Sequence, residues 1–250
     1  MQAYWTLTRR ELASYFVSMA GYVIIAVSLF QIGLSFVILL SRLQTDSTPM
    51  PITELFYATP FFWLVLLLSA PVITMRLFAL EKYSGTFETL MTAPVSDLEV
   101  VLAKFSAALV FYLLMWLPLL GSILILSHYT RGSAAVDWGA IGGTFLGIFL
   151  LGCLYMAIGC FASALTRSQI VAAMIALAIG VTLFLLSFLA DRLVPAGDWV
   201  ADVLNYMGMV EHMQDFSRGV VDTRCLVFYL SSAVFFLFLT LRVVESRRWK

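Results

Sequence analysis

The chain has 250 residues, of which 62% are hydrophobic and only 12% are charged, and its mean hydropathy is +0.96. These values lie outside the range of soluble globular domains, so they exclude an ordinary soluble enzyme and indicate an integral membrane protein. The formal net charge at pH 7 is +0, which gives no reason to expect a nucleic-acid partner.

The first predicted element is a short amphipathic helix at the amino terminus, over about residues 5–19. Thr8 and Glu11 have the spacing of a capping box, in which each side chain satisfies a backbone N–H of the first turn. The apolar side consists of Leu12, Tyr15, Phe16 and Met19. Because Arg9 and Arg10 can reach lipid headgroups, a helix lying in the membrane interface fits the pattern. A frayed extension of the first membrane span is the alternative.

Six apolar runs follow, each close to the roughly 20 residues that a helix needs to cross a hydrocarbon core about 30 Å thick. They cover residues 20–40, 56–80, 100–126, 138–165, 170–189 and 226–241. Because lipid offers the backbone no hydrogen bonds, such runs predict an all-α membrane protein with six transmembrane helices. The first run is too long for the apolar core of a cleavable signal peptide, so we expect it to remain in the mature chain.

The distribution of Lys and Arg gives the expected orientation. If both termini are cytoplasmic, ten of these residues fall on the cytoplasmic side and five on the outside. Basic residues are enriched in cytoplasmic loops, so this arrangement is favoured over its inverse. We therefore expect a multi-pass membrane protein with both termini in the cytoplasm.

A polar segment, residues 81–99, separates the second run from the third. Hydrocarbon cannot accommodate it, so we expect it to emerge on the cytoplasmic side. Ser84 and Gly85 can open a short helix there, and Pro94 forces that helix to end. A second helix begins soon afterwards, since Ser96 and Glu99 form a capping box at the start of span three.

One face of the short helix is apolar. Its members are Phe87, Leu90 and Met91, at spacings that place them side by side. Such a face fits a groove on a soluble partner. An ordinary loop whose apolar face rests on the membrane is the alternative.

The chain shows no energy source of its own. The interiors of the apolar runs carry no ionisable residue, and no G-x-x-x-x-G-K-[ST] phosphate-binding motif is present. Neither an ion pathway nor nucleotide hydrolysis by that route is therefore expected. A partner would have to drive this membrane body by pushing on residues 81–99, with spans two and three transmitting the motion as a rigid pair.

Residues that could carry enzyme chemistry are sparse. His128 and His212 fit surface positions outside the membrane, and Cys153, Cys160 and Cys225 fit small packing residues. We predict no catalytic, cofactor or metal site in this chain.

Two further patterns concern packing. Span four carries Gly139, Gly143 and Gly147 at intervals of four residues, a stripe that lets another helix of the same chain or of a second copy approach closely. The external segment 191–224 repeats apolar residues among charges, which predicts short amphipathic helices dipping into the outer interface.

Several blocks of the sequence resemble a known family. They are RREL followed by YF and GY near the amino terminus, PVITMRLFALEKYSGTFETLMTAPVSDLEVVLAKF over residues 71–105, FSRGVVDTR over residues 216–224, and a closing LTLRVVESRR. With these blocks the chain resembles the permease subunits of type-two ABC exporters, in particular the branch found with gliding-motility and copper-site-assembly transporters. The likeness covers nearly the whole chain, and the central block is its most specific part.

The resemblance implies a single transmembrane permease domain over residues 1–250, with an elbow helix at the amino terminus, a cytoplasmic coupling helix, and an external re-entrant hairpin before span six. The implied coupling positions are Glu81, Gly85, Thr86, Glu88 and Pro94, beside the apolar Phe87, Leu90 and Met91. The implied elbow positions are Arg9, Arg10 and Glu11, and the implied hairpin positions are Phe216, Arg218, Gly219 and Asp222. Leu80 and Tyr83 stand where the family often carries further charges.

The resemblance also implies partners and a location. A cytoplasmic ABC ATPase in two copies would bind ATP and Mg, which this chain would not, and a second permease would be identical or related. The location would be a bacterial cytoplasmic (inner) membrane. The expected function is then a permease that couples ATP hydrolysis by a separate subunit to export or mechanical work. A non-transporting scaffold or assembly factor that recruits a soluble ATPase is the alternative.

Overall fold

The computed structural model describes residues 2–45, 52–57, 59–87, 95–129, 137–193 and 206–248. Within these ranges the secondary structure is helical, without strands. In chain order the helices are α1 (Gln2–Val17), α2 (Met19–Thr45), α3 (Ile52–Tyr57), α4 (Pro60–Thr74), α5 (Ala79–Ser84), α6 (Asp97–Tyr129), α7 (Trp138–Leu165), α8 (Gln169–Leu193), α9 (Met209–Ser217) and α10 (Thr223–Arg248).

Six helical stretches in the described residues are long and apolar enough to cross a membrane, which confirms the prediction of an all-α, six-span membrane protein. They are Met19–Ser41, Pro60–Ser84, Asp97–Leu126, Trp138–Leu165, Gln169–Ser187 and Thr223–Ser246. The last is longer than the apolar run 226–241. Its helix continues through a charged stretch in which Arg242 and Glu245 pair at 2.9 Å, as residues three apart on a helix surface can.

The second of these stretches is divided by a turn, which hydropathy does not reveal. Helix α4 ends at Thr74, residues 75–78 form a turn, and α5 begins at Ala79. We call the turn 75–78 the span-two joint. An interrupted helix leaves backbone groups without intrahelical partners, so a break near a membrane span requires other groups to satisfy them.

Helix α7 forms the centre of the bundle. Its membrane window is 78% buried within the chain, against 17% for α8 and 28% for both α2 and α10. It packs against α4, α6, α8, α9 and α10. Helices α2, α8 and α10 therefore present much of their surface outwards, whereas α7 is surrounded by its own chain.

The glycine stripe on α7 is covered by the same chain. A Cβ at Gly143 would lie 2.2 Å from the backbone oxygen of Phe216, and one at Gly147 would lie 2.9 Å from the sulfur of Met213, both on α9. At Gly139 the neighbour is the adjacent Asp137 side chain. Because glycine has no side chain, α9 lies almost directly on the α7 backbone at two of the three positions.

Packing of α9 against α7 corrects the prediction for the external segment. The apolar side chains of Met209, Met213 and Phe216 are buried in the protein core, so this face of the amphipathic helix packs on protein, whereas Val220 and Val221 are exposed and their entry into the outer interface stays a prediction. Residues 194–205 of that segment lie outside the described ranges.

The prediction of two surface histidines is wrong for His212, although His128 is exposed. The His212 ring is buried, and its Nδ1 lies 3.3 Å from the hydroxyl of Tyr229 on α10. Burial lowers the pKa of His212 below its ordinary value of 6.5, against the opposing charges of Asp215 and Asp222. Spacing within α9 did not reveal this burial, because the covering Tyr229 comes from another helix.

Candidate coupling site

We call the polar segment 81–99 the coupling segment. It begins within α5, and α5 ends at a residue with a left-handed backbone conformation. Gly85 caps the helix with φ 76°, a conformation that glycine adopts without the steric cost of a Cβ. Residues 86–87 are helical again. The sequence predicted that Ser84 and Gly85 open a helix, whereas the structure shows that they first close α5.

Phe87 is oriented towards its own chain. Its side chain is only 7% exposed and belongs to the main core, and the Lys82 ammonium lies 5.2 Å from the centre of its ring. The ring therefore anchors the segment to the permease, and a role of Phe87 in binding a partner stays a prediction. Glu88, Leu90, Met91 and Pro94 lie outside the described residues, so the apolar face that Phe87 was expected to share with Leu90 and Met91 stays a prediction.

The structure at the start of span three agrees with the prediction from the sequence. The backbone N–H of Glu99 donates to Ser96 Oγ at 3.2 Å, and the backbone N–H of Ser96 donates to Glu99 Oε2 at 3.2 Å. These reciprocal bonds confirm the predicted capping box, and α6 begins at Asp97.

Four charged side chains from three helices meet at this end of the bundle. Lys104 Nζ on α6 lies 3.1 Å from Glu11 Oε1 on α1 and 2.8 Å from Glu81 Oε1 on α5. Arg10 lies 2.9 Å from the same Glu11 oxygen and 3.6 Å from that of Glu81. We call Arg10, Glu11, Glu81 and Lys104 the ionic cluster. The structure therefore brings the predicted elbow and coupling positions together.

Burial strengthens the electrostatic interactions within the ionic cluster. The side chain of Lys104 is 2% exposed, and those of Glu11 and Glu81 are 14% and 17% exposed, so water screens the charges far less than at a surface. Burial raises the pKa of Glu11, but the Lys104 ammonium and the Arg10 guanidinium outweigh it and hold the pKa below its ordinary value of 4.5. Lys104 escaped notice in the sequence because neither acid is near it in the chain.

An open cleft of about 650 Å³ lies beside the ionic cluster. Its lining includes Ser14 and Tyr15 of α1, Arg76 and Leu77 of the span-two joint, and Thr86 of the coupling segment. Glu81 Oε2, also at this cleft, is a buried oxygen that has no hydrogen-bond partner among the residues that the structure describes. The cleft thus exposes groups from the elbow, joint and coupling segment together.

Helix α1 begins earlier than expected, which corrects its predicted capping box. It starts at Gln2, so Thr8 lies inside the helix and its hydroxyl donates to the Tyr4 carbonyl at 2.9 Å. The carboxylate of Glu11 turns to Lys104 instead of to a first-turn N–H. Long-range contact with α6 has overridden a local capping pattern.

One side of α1 is fixed to the bundle. Tyr15 stacks on Phe111 of α6 with ring centres 4.7 Å apart, and its hydroxyl donates to the Ile73 carbonyl at 2.9 Å. Met19, predicted on the same apolar side, begins α2 and is exposed, while Arg9 is also exposed. That this helix lies in the membrane interface stays a prediction.

The span-two joint is held by one residue that the sequence did not single out. The Ser163 hydroxyl on α7 donates to the Met75 carbonyl at 3.1 Å and accepts from the backbone N–H groups of Phe78 at 3.0 Å and Ala79 at 3.1 Å. Close by, the Lys82 ammonium donates to the Ala164 carbonyl. The carboxyl end of α7 therefore holds the base of the coupling segment.

The predicted hairpin positions lie near the opposite end of α7. Phe216 is buried, Arg218 ends α9 and is exposed, and Gly219 adopts φ 80°. Asp222 accepts a hydrogen bond from the Arg224 N–H at 2.9 Å at the start of α10. The hairpin is tied down through α3, where Thr53 donates to the Ser217 carbonyl at 2.8 Å. Its re-entrant character stays a prediction.

Comparison with known proteins gives the family. A family model described as ABC-2 family transporter protein matches residues 12–198, which include the coupling segment, the span-two joint and all of α7. A search of the curated proteins found no significant match. Membership of this family implies a membrane subunit that works with an ABC ATPase, while the gliding-motility and copper-site-assembly branch stays a prediction. The chain belongs to the ABC-2 transporter family, as a multi-pass membrane permease.

Proposed function

We propose that this permease couples ATP hydrolysis by a separate cytoplasmic ABC ATPase to export or to mechanical work across a bacterial inner membrane. The ATPase contacts residues 81–99 and the adjacent elbow helix. Two ATPase copies and a second permease, identical or related, complete the working unit, and both termini of this chain are cytoplasmic. ATP and Mg are bound by the partner.

The ionic cluster is the observation that carries this proposal. Lys104 holds Glu11 on α1 and Glu81 on α5 through contacts of 3.1 Å and 2.8 Å. A partner that displaces the coupling segment therefore displaces the elbow helix and the start of α6 with it. Such mechanical linkage suits a subunit that is driven from outside.

The positions of basic residues support the orientation. The ionic cluster, Arg76 and Lys82 share one end of the bundle, and cytoplasmic ends are enriched in Lys and Arg. Cysteine scanning tests this directly: a cysteine at the exposed Tyr83 should react with an impermeant maleimide only from the cytoplasmic side. Labelling from the outside would overturn the proposed coupling, because no cytoplasmic ATPase could then reach α5.

Purification of the native complex, with mass analysis of its subunits, should recover an ABC ATPase with this chain. Phe87→Asp should then abolish that association or the stimulation of ATPase activity, because a charge in the buried Phe87 position displaces the segment. Membrane insertion should be intact. The matched control is Val220→Asp, which places the same charge at an exposed position of the external turn.

A Phe87→Asp variant that binds and stimulates the ATPase like the wild type would contradict the coupling role. Recruitment of the ATPase without any nucleotide-driven change in the permease would instead favour the scaffold alternative.

A further inference from the structure

The span-two joint is completed by a side chain of another helix. A serine hydroxyl has one hydrogen to donate and two lone pairs to accept with. Ser163 uses all three, towards the carbonyl of Met75 and the N–H groups of Phe78 and Ala79. The residue is 0% exposed, so water cannot replace these bonds.

The same stretch of α7 contacts the chain on both sides of the joint. Before it, Thr74 packs so closely that a Cβ at Gly159 would lie 2.0 Å from the Thr74 hydroxyl oxygen. After it, Lys82 of α5 donates to the Ala164 carbonyl. Residues 159–164 of α7 therefore hold α4, the joint and α5 together.

The link from α5 to span three is of a different kind. Within the described residues it includes the ion pair between Glu81 and Lys104 at 2.8 Å, which joins the ends of two long side chains. The link from α5 to α7 includes direct bonds to the backbone at the joint. A displacement of α5 therefore reaches α7 through bonds to the backbone of the joint and of α7 itself.

Helix α7 also has a close-packed contact at its far end. Between Gly143, under α9, and Ser163, at the joint, the helix rises about 30 Å at roughly 1.5 Å per residue. At the Gly143 end there is no space for even a methyl group. Densely packed contacts of this kind transmit displacement instead of absorbing it.

We propose that Ser163 is a positioning residue for coupling. It locks the span-two joint to α7, so that motion of the coupling segment is carried along α7. The motion ends at the external hairpin, which is formed by α9 and the turn after it. This inference rests on the proposed function, because the motion originates in the ATPase partner. It replaces the spans two and three pair expected from the sequence with α7 as the transmitting element.

The test uses the complex with its ATPase in proteoliposomes and a cysteine at Val220, which is 56% exposed in the turn after α9. Its rate of reaction with an impermeant maleimide is measured with and without trapping by ATP and vanadate. The native cysteines are buried. With Ser163 intact, trapping should change the rate by about fivefold or more, a coupling typical of linked sites.

Ser163→Ala should lose this nucleotide response while still copurifying with the ATPase, and Ser163→Thr, which keeps the hydroxyl, should restore it. The matched control is Ser69→Ala, since Ser69 is also buried but, within the described ranges, its hydroxyl bonds to the Leu66 carbonyl of its own helix. That control should respond like the wild type.

If Ser163→Ala fails to fold, Lys82→Met provides the second test of the inference. This variant removes the bond from α5 to the Ala164 carbonyl and leaves the hydrogen bonds of Ser163 at the joint intact. It should lower the response. An assembled Ser163→Ala or Lys82→Met complex that responds like the wild type overturns the inference, as does a wild-type complex whose Val220 site ignores nucleotide. Failure of the wild-type chain to bind any ABC ATPase would instead refute the proposed function.

Discussion

The two ends of α7 are held to the rest of the molecule by different forces. At the coupling end, the Ser163 hydroxyl and the Ala164 carbonyl hydrogen-bond to the span-two joint and to α5, in addition to the close packing of Gly159 on Thr74. At the hairpin end, Gly143 and Gly147 let α9 approach the helix backbone, and contact is made by shape. Hydrogen bonds are directional and hold particular groups, whereas close packing depends on the shapes of the two surfaces. The coupling end suits a place where an ATPase partner moves the permease. The hairpin end suits a place that moves together with α7.

The largest effect is expected from removing the buried cation of the ionic cluster. Lys104→Met leaves Glu11 and Glu81 with the Arg10 guanidinium as their remaining cation in the cluster, and the loss of one partner of a buried ion pair costs up to about 3–5 kcal/mol. The free energy of unfolding in detergent should fall by that amount. Arg242→Met removes a cation from an exposed pair and should cost less than about 1 kcal/mol. Equal effects of the two variants would show that the cluster is no stronger than a surface pair.

A pair of adjacent glycines tests the hairpin end. Gly143→Ala places a Cβ 2.2 Å from the Phe216 backbone oxygen and should destabilise the fold by about 1–3 kcal/mol through overpacking. A Cβ at Gly142 would meet no atom of another described element within 4 Å, so Gly142→Ala should be neutral or stabilise by up to about 1 kcal/mol through helix propensity. Thermal unfolding of both variants measures the difference. If they behave alike, α9 does not lie on α7 at this position.

A smaller effect is expected at the start of α6, between the coupling segment and the ionic cluster. Ser96→Ala removes the capping hydroxyl that accepts from the Glu99 N–H and should lower stability by about 1 kcal/mol. Ser246→Ala removes a hydroxyl that bonds within α10 and should change stability by less than about 0.5 kcal/mol. Amide hydrogen exchange at residues 97–100 should rise only in the Ser96 variant.

Acidification should destabilise the two ends of the molecule at different pH values. His212 reports on the hairpin end and Glu11 on the coupling end. The pKa of His212 is lowered from 6.5 in the fold, so the unfolded chain takes up that proton first and stability falls as the pH drops below about 6.5. The pKa of Glu11 is lowered from 4.5, so its contribution is complete above about 4.5 and is lost as the pH falls further. Relative to wild type, His212→Gln should flatten the first part of the stability curve and Glu11→Gln the second. Unchanged curves would contradict the burial of His212 and the pairing of Glu11 with Lys104 and Arg10.

Hydropathy runs and capping boxes predicted the structure correctly where it depends on residues close together in the chain. The six apolar runs became six candidate spans because hydropathy over about 20 residues is sufficient to require a helix in lipid. The capping box of Ser96 and Glu99 formed as expected, since both partners lie within one turn. The same pattern failed at Thr8 and Glu11, where Lys104 competes for the carboxylate from another helix.

The sequence by itself determined the class of this protein: a helical membrane protein with six spans and a polar segment between the second and third. The tertiary structure decided where the important contacts lie. Ser163 meets the joint from more than 80 positions away along the chain, and Lys104 gathers two acids from separate helices. Hydropathy and capping depend on residues a few positions apart, whereas buried ion pairs and interhelical hydrogen bonds depend on how the helices pack.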